Sequence, residues 1–228
     1  MTVFIISAPS GSGKSTLVNE VLSVVPGLEF SISYTTRQPR GSEQNAREYF
    51  FVSREQFEEM LKRDEFLEHA KVHDNYYGTA RRFLHDAEEH GNDLLLDIDV
   101  QGAEQIKQKL PKAVSIFVLP PDRMTLEKRL RSRSQDAEEV IQRRLVTATR
   151  EIENYSKYDY ILVNDRLDES TEALKSILLA ERERDSREQS TSDGGNTLAV
   201  AESCRLGNIR SRLGPILDSF RNSKSVAG

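Results

Sequence analysis

Val3-Phe4-Ile5-Ile6-Ser7-Ala8-Pro9-Ser10-Gly11-Ser12-Gly13-Lys14-Ser15-Thr16-Leu17-Val18 is a short apolar run, a loop of small residues and the start of a helical pattern. Its loop ends in Gly13-Lys14-Ser15, and a strand-loop-helix with that ending is the context a phosphate-binding P-loop requires. A polyphosphate is highly charged, so holding it takes several converging backbone N–H groups, a helix N-terminus and a mobile cation. Gly11 and Gly13 let the backbone come close, Lys14 reaches the β- and γ-phosphates, and the Ser15 hydroxyl is placed to ligate Mg²⁺. The first glycine of the usual G-x-x-x-x-G-K-[ST] spacing is Ala8, the smallest substitute.

Bulk properties narrow the class. With 228 residues the chain holds one substantial core, or one core with small inserted lobes. At 37% hydrophobic and 30% charged residues it reads as an ordinary globular protein. A net charge of −5 gives no global electrostatic reason to expect a nucleic-acid partner. Cys204 is the only cysteine, which excludes an intrachain disulfide framework and a cysteine-built metal site and fits a reducing interior. No charged n-region precedes the apolar start and no apolar run approaches ~18 residues, so a cytosolic protein without membrane contact is expected. His69, His73, His85 and His90 lack ligand-like spacing.

Short apolar runs recur at Val3–Ser7, Leu94–Ile98, Ser115–Leu119 and Tyr160–Val163. Each is too short for a free-standing helix and too continuous for a strand wetted on one face, which predicts buried parallel strands. Helical periods lie between them: Phe83, Leu84 and Ala87; Ala103, Ile106 and Leu110; Leu167, Leu174 and Leu178. The alternation predicts an α/β fold, a parallel sheet flanked by helices, with ligands at the carboxyl ends of the strands beside the P-loop and Asp97-Ile98-Asp99. From Phe30 to Thr79 the rhythm breaks into strand-like pieces and a helix capped by Ser53 with Gln56, reading as a partly β inserted lobe. Residues 123–153 read as a second, helical insertion. Asp136 with Glu139 signals a helix start, and Ile141, Leu145, Ala148 and Ile152 form one stripe amid six arginines. After Leu179 the apolar rhythm gives out, and the chain beyond Arg187 reads as a flexible tail with at most one short helix around Ile209–Phe220.

Taken in order, the P-loop, Ser33-Tyr34-Thr35-Thr36-Arg37-Gln38-Pro39-Arg40, Tyr76-Tyr77-Gly78-Thr79, Asp97-Ile98-Asp99-Val100-Gln101-Gly102 and Val163-Asn164-Asp165 resemble the guanylate kinases over residues 1–187. The resemblance implies a P-loop nucleoside monophosphate kinase that moves the γ-phosphate of ATP to GMP or dGMP with Mg²⁺. It implies a core of residues 1–32, 80–122 and 154–187, a GMP lobe of 33–79, a lid of 123–153 and an unmatched tail of 188–228. Ala8, Pro9, Ser10, Gly11, Ser12, Gly13, Lys14, Ser15 and Thr16, with Arg129, Arg133 and Asn164, are then the ATP side. Ser33, Arg37, Arg40, Tyr49, Glu68, Tyr77, Gly78, Thr79 and Asp97 are the GMP side, and Lys14, Arg37, Arg133 and Arg144 are the catalytic charges. Ser15, and Asp99 through water, would serve the Mg²⁺.

Each implied role has a chemical reason. Planar guanidinium groups at Arg37 and Arg40 suit a doubly charged acceptor phosphate, and Tyr49 and Tyr77 donate to it. Guanine presents adjacent N1–H and N2–H₂ donors that the Glu68 carboxylate accepts side by side, and adenine has no such pair. Arg131, Arg143 and Arg150 remain surface charges. Ser42, Ala46 and Ser134 stand where the family often has glycine, and Arg166 where an acid is common. A phosphopeptide-binding scaffold related to the family would lack Lys14 and the lid arginines. An AMP, UMP or CMP kinase would lack Glu68 and the Thr-Thr-Arg-x-Pro-Arg run. Monomer and homo-oligomer both stay open.

Overall fold

The structure is a computed structural model describing residues 1–72, 74–133, 137–186 and 195–221, and for Arg133, Asp185, Ser186 and Gly195 only the backbone. It divides into two compact units, Met1–Ile6 with Pro26–Val114, and Ser7–Val25 with Ser115–Gly228.

In the first unit β2 (Leu28–Ser31), β7 (Asp93–Asp97) and β1 (Val3–Ser7) pair in parallel, with Phe30 and Phe4 both opposite Leu95. Phe4, Ile5, Ile6, Leu94, Leu95 and Leu96 are fully buried, which is why these strands read as unbroken apolar runs. Beyond β7, Asp99 caps α4 (Val100–Lys109), its Oδ1 accepting from the Gly102 N–H at 2.8 Å. α3 (Arg82–His90) stops at Gly91, whose φ of 67° is left-handed.

The same unit holds a four-stranded sheet in the order β4 (Phe50–Phe51), β3 (Tyr34–Thr35), β6 (Asn75–Ala80), β5 (Phe66–Val72). β5 and β6 run antiparallel with a bulge between Phe66 and Glu68. The bulge breaks the two-residue alternation, so Phe66, Leu67 and Glu68 are all buried in succession. α2 (Arg54–Lys62) begins with the expected capping box of Ser53 and Gln56. Its Phe57 stacks on Phe66 and Tyr76, centroids 4.4 and 5.3 Å apart, and so anchors the helix to this sheet.

The second unit contains α1 (Lys14–Val24), the parallel pair β8 (Val114–Leu119) and β9 (Tyr160–Val163), α5 (Arg123–Arg133), α6 (Glu138–Ile152) and α7 (Leu167–Ser186). Ile141, Leu145, Ala148 and Ile152 are buried, as their spacing predicts. Asp136 lies outside the described residues, and Ala137 at the N-cap supplies no side-chain bond. Leu174 and Leu178 are buried, whereas Leu167, the first residue of α7, is 39% exposed.

The reading of the C-terminal stretch as a flexible tail is corrected for residues 195–221, which form α8 (Gly195–Cys204) and α9 (Leu206–Arg221). Ile209, Leu213, Leu217 and Phe220 are buried along one stripe of α9. Gly214 and Pro215 fall among its exposed positions, so the backbone bond that proline removes is lost at exposed Ser211, where water can replace it. Tyr160 Oη donates to Glu181, the Arg205 guanidinium lies 4.8 Å over the Tyr160 ring and bonds Glu181 at 2.8 Å, and Glu202 pairs with Arg184. Partners brought from β9 and α7 therefore hold a segment whose own composition is too polar to advertise a docked helix. No helix among the described residues is long and apolar enough to cross a membrane.

Candidate active site

The P-loop follows β1 and ends at Gly13, the N-cap of α1. Gly11 and Gly13 take φ of 91° and 90°, a region open to glycine at little cost. A Cβ at Gly13 would lie 2.4 Å from Asn164 Nδ2, so the loop needs glycine there for space as well as for backbone conformation. α1 has no side-chain cap and no acid in its first turn, so the positive end of its dipole meets no negative charge from its own helix. Pro9 is buried, Ala8 and Lys14 half-buried, and Ser10, Ser15 and Thr16 exposed.

Three residues remote in sequence close on this loop. Buried Asn164 donates from Nδ2 to the Ser12 carbonyl at 2.8 Å. Arg129 on α5 donates to the carbonyls of Ser12 at 3.2 Å and Asn164 at 3.0 Å. Arg144 on α6 donates to Ser10 Oγ at 2.8 Å. Arg131 is tied to Glu127 and Glu138 on the surface, away from the loop's hydrogen bonds. The Arg133 side chain lies outside the described residues.

The other predicted cluster lies within the first unit. Glu68 is 4% exposed, and its Oε1 accepts from Thr79 Oγ1 at 2.7 Å. Burial pushes its carboxyl up to about 7, with the charge of Asp99 adding and the Thr79 bond opposing. A Cβ on Gly102 would lie 2.5 Å from Glu68 Oε2, so the start of α4 shapes the carboxylate's space. A glycine at 78 likewise makes room, since its Cβ would meet the Phe66 ring at 2.8 Å.

Arg37 is 8% exposed and forked onto Glu43, Nη1 to Oε2 at 2.9 Å and Nη2 to Oε1 at 3.0 Å. Glu43 Oε2 also accepts from the Arg40 backbone N–H at 2.8 Å, while the Arg40 side chain is exposed. These bonds hold the Glu43 carboxyl below the usual carboxylate range. Tyr49 and Tyr77 meet edge to face at 5.9 Å, and the Arg37 guanidinium lies 5.3 Å from the Tyr49 ring. Burial, with the charge of Asp97 adding, pushes the Tyr49 phenol up to about 12, so it stays a proton donor at neutral pH. Ser33 is buried and Asp97 half-buried at the end of β7.

Known proteins resolve the family. The guanylate kinase family model matches residues 1–181. The chain belongs to the guanylate kinase family. It is 60% identical to a guanylate kinase of Koribacter versatilis over 225 residues, 97% of each chain. It is 50% identical to that of Escherichia coli K12 over 194 residues, 84% of this chain and 94% of that protein. A crystal structure of guanylate kinase from Anaplasma phagocytophilum superposes with a TM-score of 0.66 at 30% identity, covering 94% of both chains. The α/β architecture, with parallel strands flanked by helices, is that of the family. The family model stops within α7, yet the Koribacter relative aligns over nearly the whole chain, so the alignment reaches the C-terminal helices.

Two residues that bear on the predicted site residues are not evident in the sequence. Glu43 carries no motif of its own, and only its distance of six residues from Arg37 across a Pro-Arg-Gly turn hints at an ion pair. Gly102 stands in the Asp97–Gly102 motif, but the approach of Glu68 from β5 that calls for a glycine there is invisible in one dimension.

Proposed function

We propose that this chain transfers the γ-phosphate of ATP to GMP and to dGMP, giving ADP with GDP or dGDP, as an enzyme of guanine nucleotide recycling in the cytosol. The observation that carries this reading is Glu68, a carboxylate 4% exposed and hydrogen-bonded by Thr79, in a family whose members phosphorylate GMP. Ionised, it accepts the two adjacent donors on the Watson–Crick edge of guanine; a base without them would leave a buried charge unpaired. Ser33, Thr79 and Asp97 assist at the base, and Arg37, Arg40, Tyr49 and Tyr77 hold the acceptor phosphate.

On the donor side backbone N–H groups of the P-loop and the Lys14 ammonium hold the β- and γ-phosphates, Arg129 faces the phosphates, and Asn164 borders the adenine end. Arg133 and Arg144 add positive charge to the transferring group. The exposed Ser15 hydroxyl is an oxygen donor of the kind Mg²⁺ takes, and Asp99 would serve the ion through water. When bound, Mg²⁺ supplies charge neutralisation at the β- and γ-phosphates. The protein's own work is positioning, because the transition state is loose and asks for little covalent help.

The test is ADP release coupled to an indicator reaction, run with GMP, dGMP, AMP, CMP and UMP. Turnover with GMP and dGMP far above the others is expected. Preference for another base, or no GMP-dependent turnover, sinks the reading.

A further inference from the structure

We propose that the C-terminal helices α8 and α9 are a positioning element of the phosphate-donor site, acting through α5; this rests on the donor-site reading above. The buried stripe of α9, Ile209, Leu213, Leu217 and Phe220, packs where α9 touches α5, α6 and β9. Ser219 Oγ accepts from the backbone N–H of Arg123, the first residue of α5, at 3.1 Å. α9 thereby satisfies one of the N-terminal donors that a helix cannot satisfy itself.

α5 in turn bears on the P-loop directly. Leu126 and Leu130 press against Gly11 so closely that a Cβ there would meet them at 3.0 and 2.8 Å. Arg129, between them, bonds the Ser12 carbonyl. Three packed steps thus run from Ser219 to the phosphate loop. At the other end of the pair, Glu202 and Arg205 tie α8 to Arg184 and Glu181 and cover Tyr160 of β9, the strand that leads to Asn164. Close packing transmits displacement rather than absorbing it. A catalyst that works by positioning is sensitive to shifts well under an ångström. All these residues belong to one compact unit, and the predicted GMP residues belong to the other.

The experiment uses the full chain and varies α9 alone: the double variant Leu213→Ala with Leu217→Ala, the single Ser219→Ala, and Leu217→Met as the conservative control. Near-UV circular dichroism first establishes folding at the assay temperature, and KM is then measured for ATP at saturating GMP and for GMP at saturating ATP. The double variant is expected to raise KM for ATP about three- to tenfold while KM for GMP stays within about twofold. Ser219→Ala shifts KM for ATP in the same direction by less, and Leu217→Met stays near the parent. Equal rises in both KM values, or none in folded variants, would mean that α9 only covers apolar surface and would overturn the proposal. Should the double variant not fold, Ser219→Ala decides, an unchanged KM for ATP counting against the proposal. If the parent protein shows no GMP-dependent turnover, the functional reading fails by itself. Calorimetric affinity for AMP-PNP with Mg²⁺ then replaces KM, and equal affinities in parent and variants overturn the positioning role.

Discussion

Glu43 occupies both terminal nitrogens of Arg37, at 2.9 and 3.0 Å, and Arg37 is only 8% exposed. If Arg37 holds the acceptor phosphate as proposed, a carboxylate sits in that phosphate's place and would repel it at close range. Glu43→Ala is expected to destabilise the free protein by about 1–3 kcal/mol, because the arginine is left buried without its partner. GMP should restore more stability to the variant than to the parent, and KM for GMP should fall. Thermal unfolding with and without GMP checks this; an equal or smaller GMP shift in the variant counts against it.

Glu68 supplies a pH dependence. Its carboxyl is raised to about 7 in the free protein, so below that pH it is protonated and cannot accept from guanine. GMP binding should release a proton near pH 6, and KM for GMP should rise by up to about tenfold per unit below the folded pKa. For folding the sign is opposite. A raised carboxyl pKa contributes stability that is full below the unfolded value of 4.5 and is lost as pH rises through about 7. Glu68→Gln should remove that loss, leaving the free variant more stable than the parent at pH 8. Calorimetry in buffers of differing ionisation enthalpy, with unfolding across pH 5–8, reads both effects.

Gly102 should matter to guanine recognition without touching the nucleotide's phosphate. A methyl group there would stand 2.5 Å from Glu68 Oε2, so the carboxylate must shift to admit it. Gly102→Ala is expected to raise KM for GMP about tenfold with KM for ATP unchanged. Equal GMP affinity in the two proteins, measured calorimetrically, would show that Glu68 has room to spare.

Lys14→Met should lower kcat about 100-fold or more, since it removes a fixed charge from the donor phosphates. GMP affinity should hold within about twofold, because the GMP residues lie in the other unit. Near-normal turnover would remove Lys14 from the catalytic set.

Local chemistry was legible in one dimension. Gly13-Lys14-Ser15 after an apolar strand, the Ser53 and Gln56 capping box and the Ile141-Leu145-Ala148-Ile152 stripe each depend on neighbours within a few turns, so spacing alone carries them. Likewise Leu94-Leu95-Leu96 had to be a buried strand, because unbroken apolarity has no wet face to offer. Leu167 shows the limit of the same logic. It shares the helical period of Leu174 and Leu178, but at the first position of α7 no neighbouring layer covers it.

What the amino-acid sequence determined by itself was the phosphate loop, the alternation of strands and helices, and the residue types from which the two sites are made. Only tertiary structure decided that Glu68 is buried, through a bulge against β6, that Glu43 engages Arg37, and that the last helices dock against α5, α6 and β9. The physical reason is common to all three. A charge changes its proton affinity, and a weakly apolar helix becomes worth ordering, only when residues remote in sequence supply the partner or the dry surface.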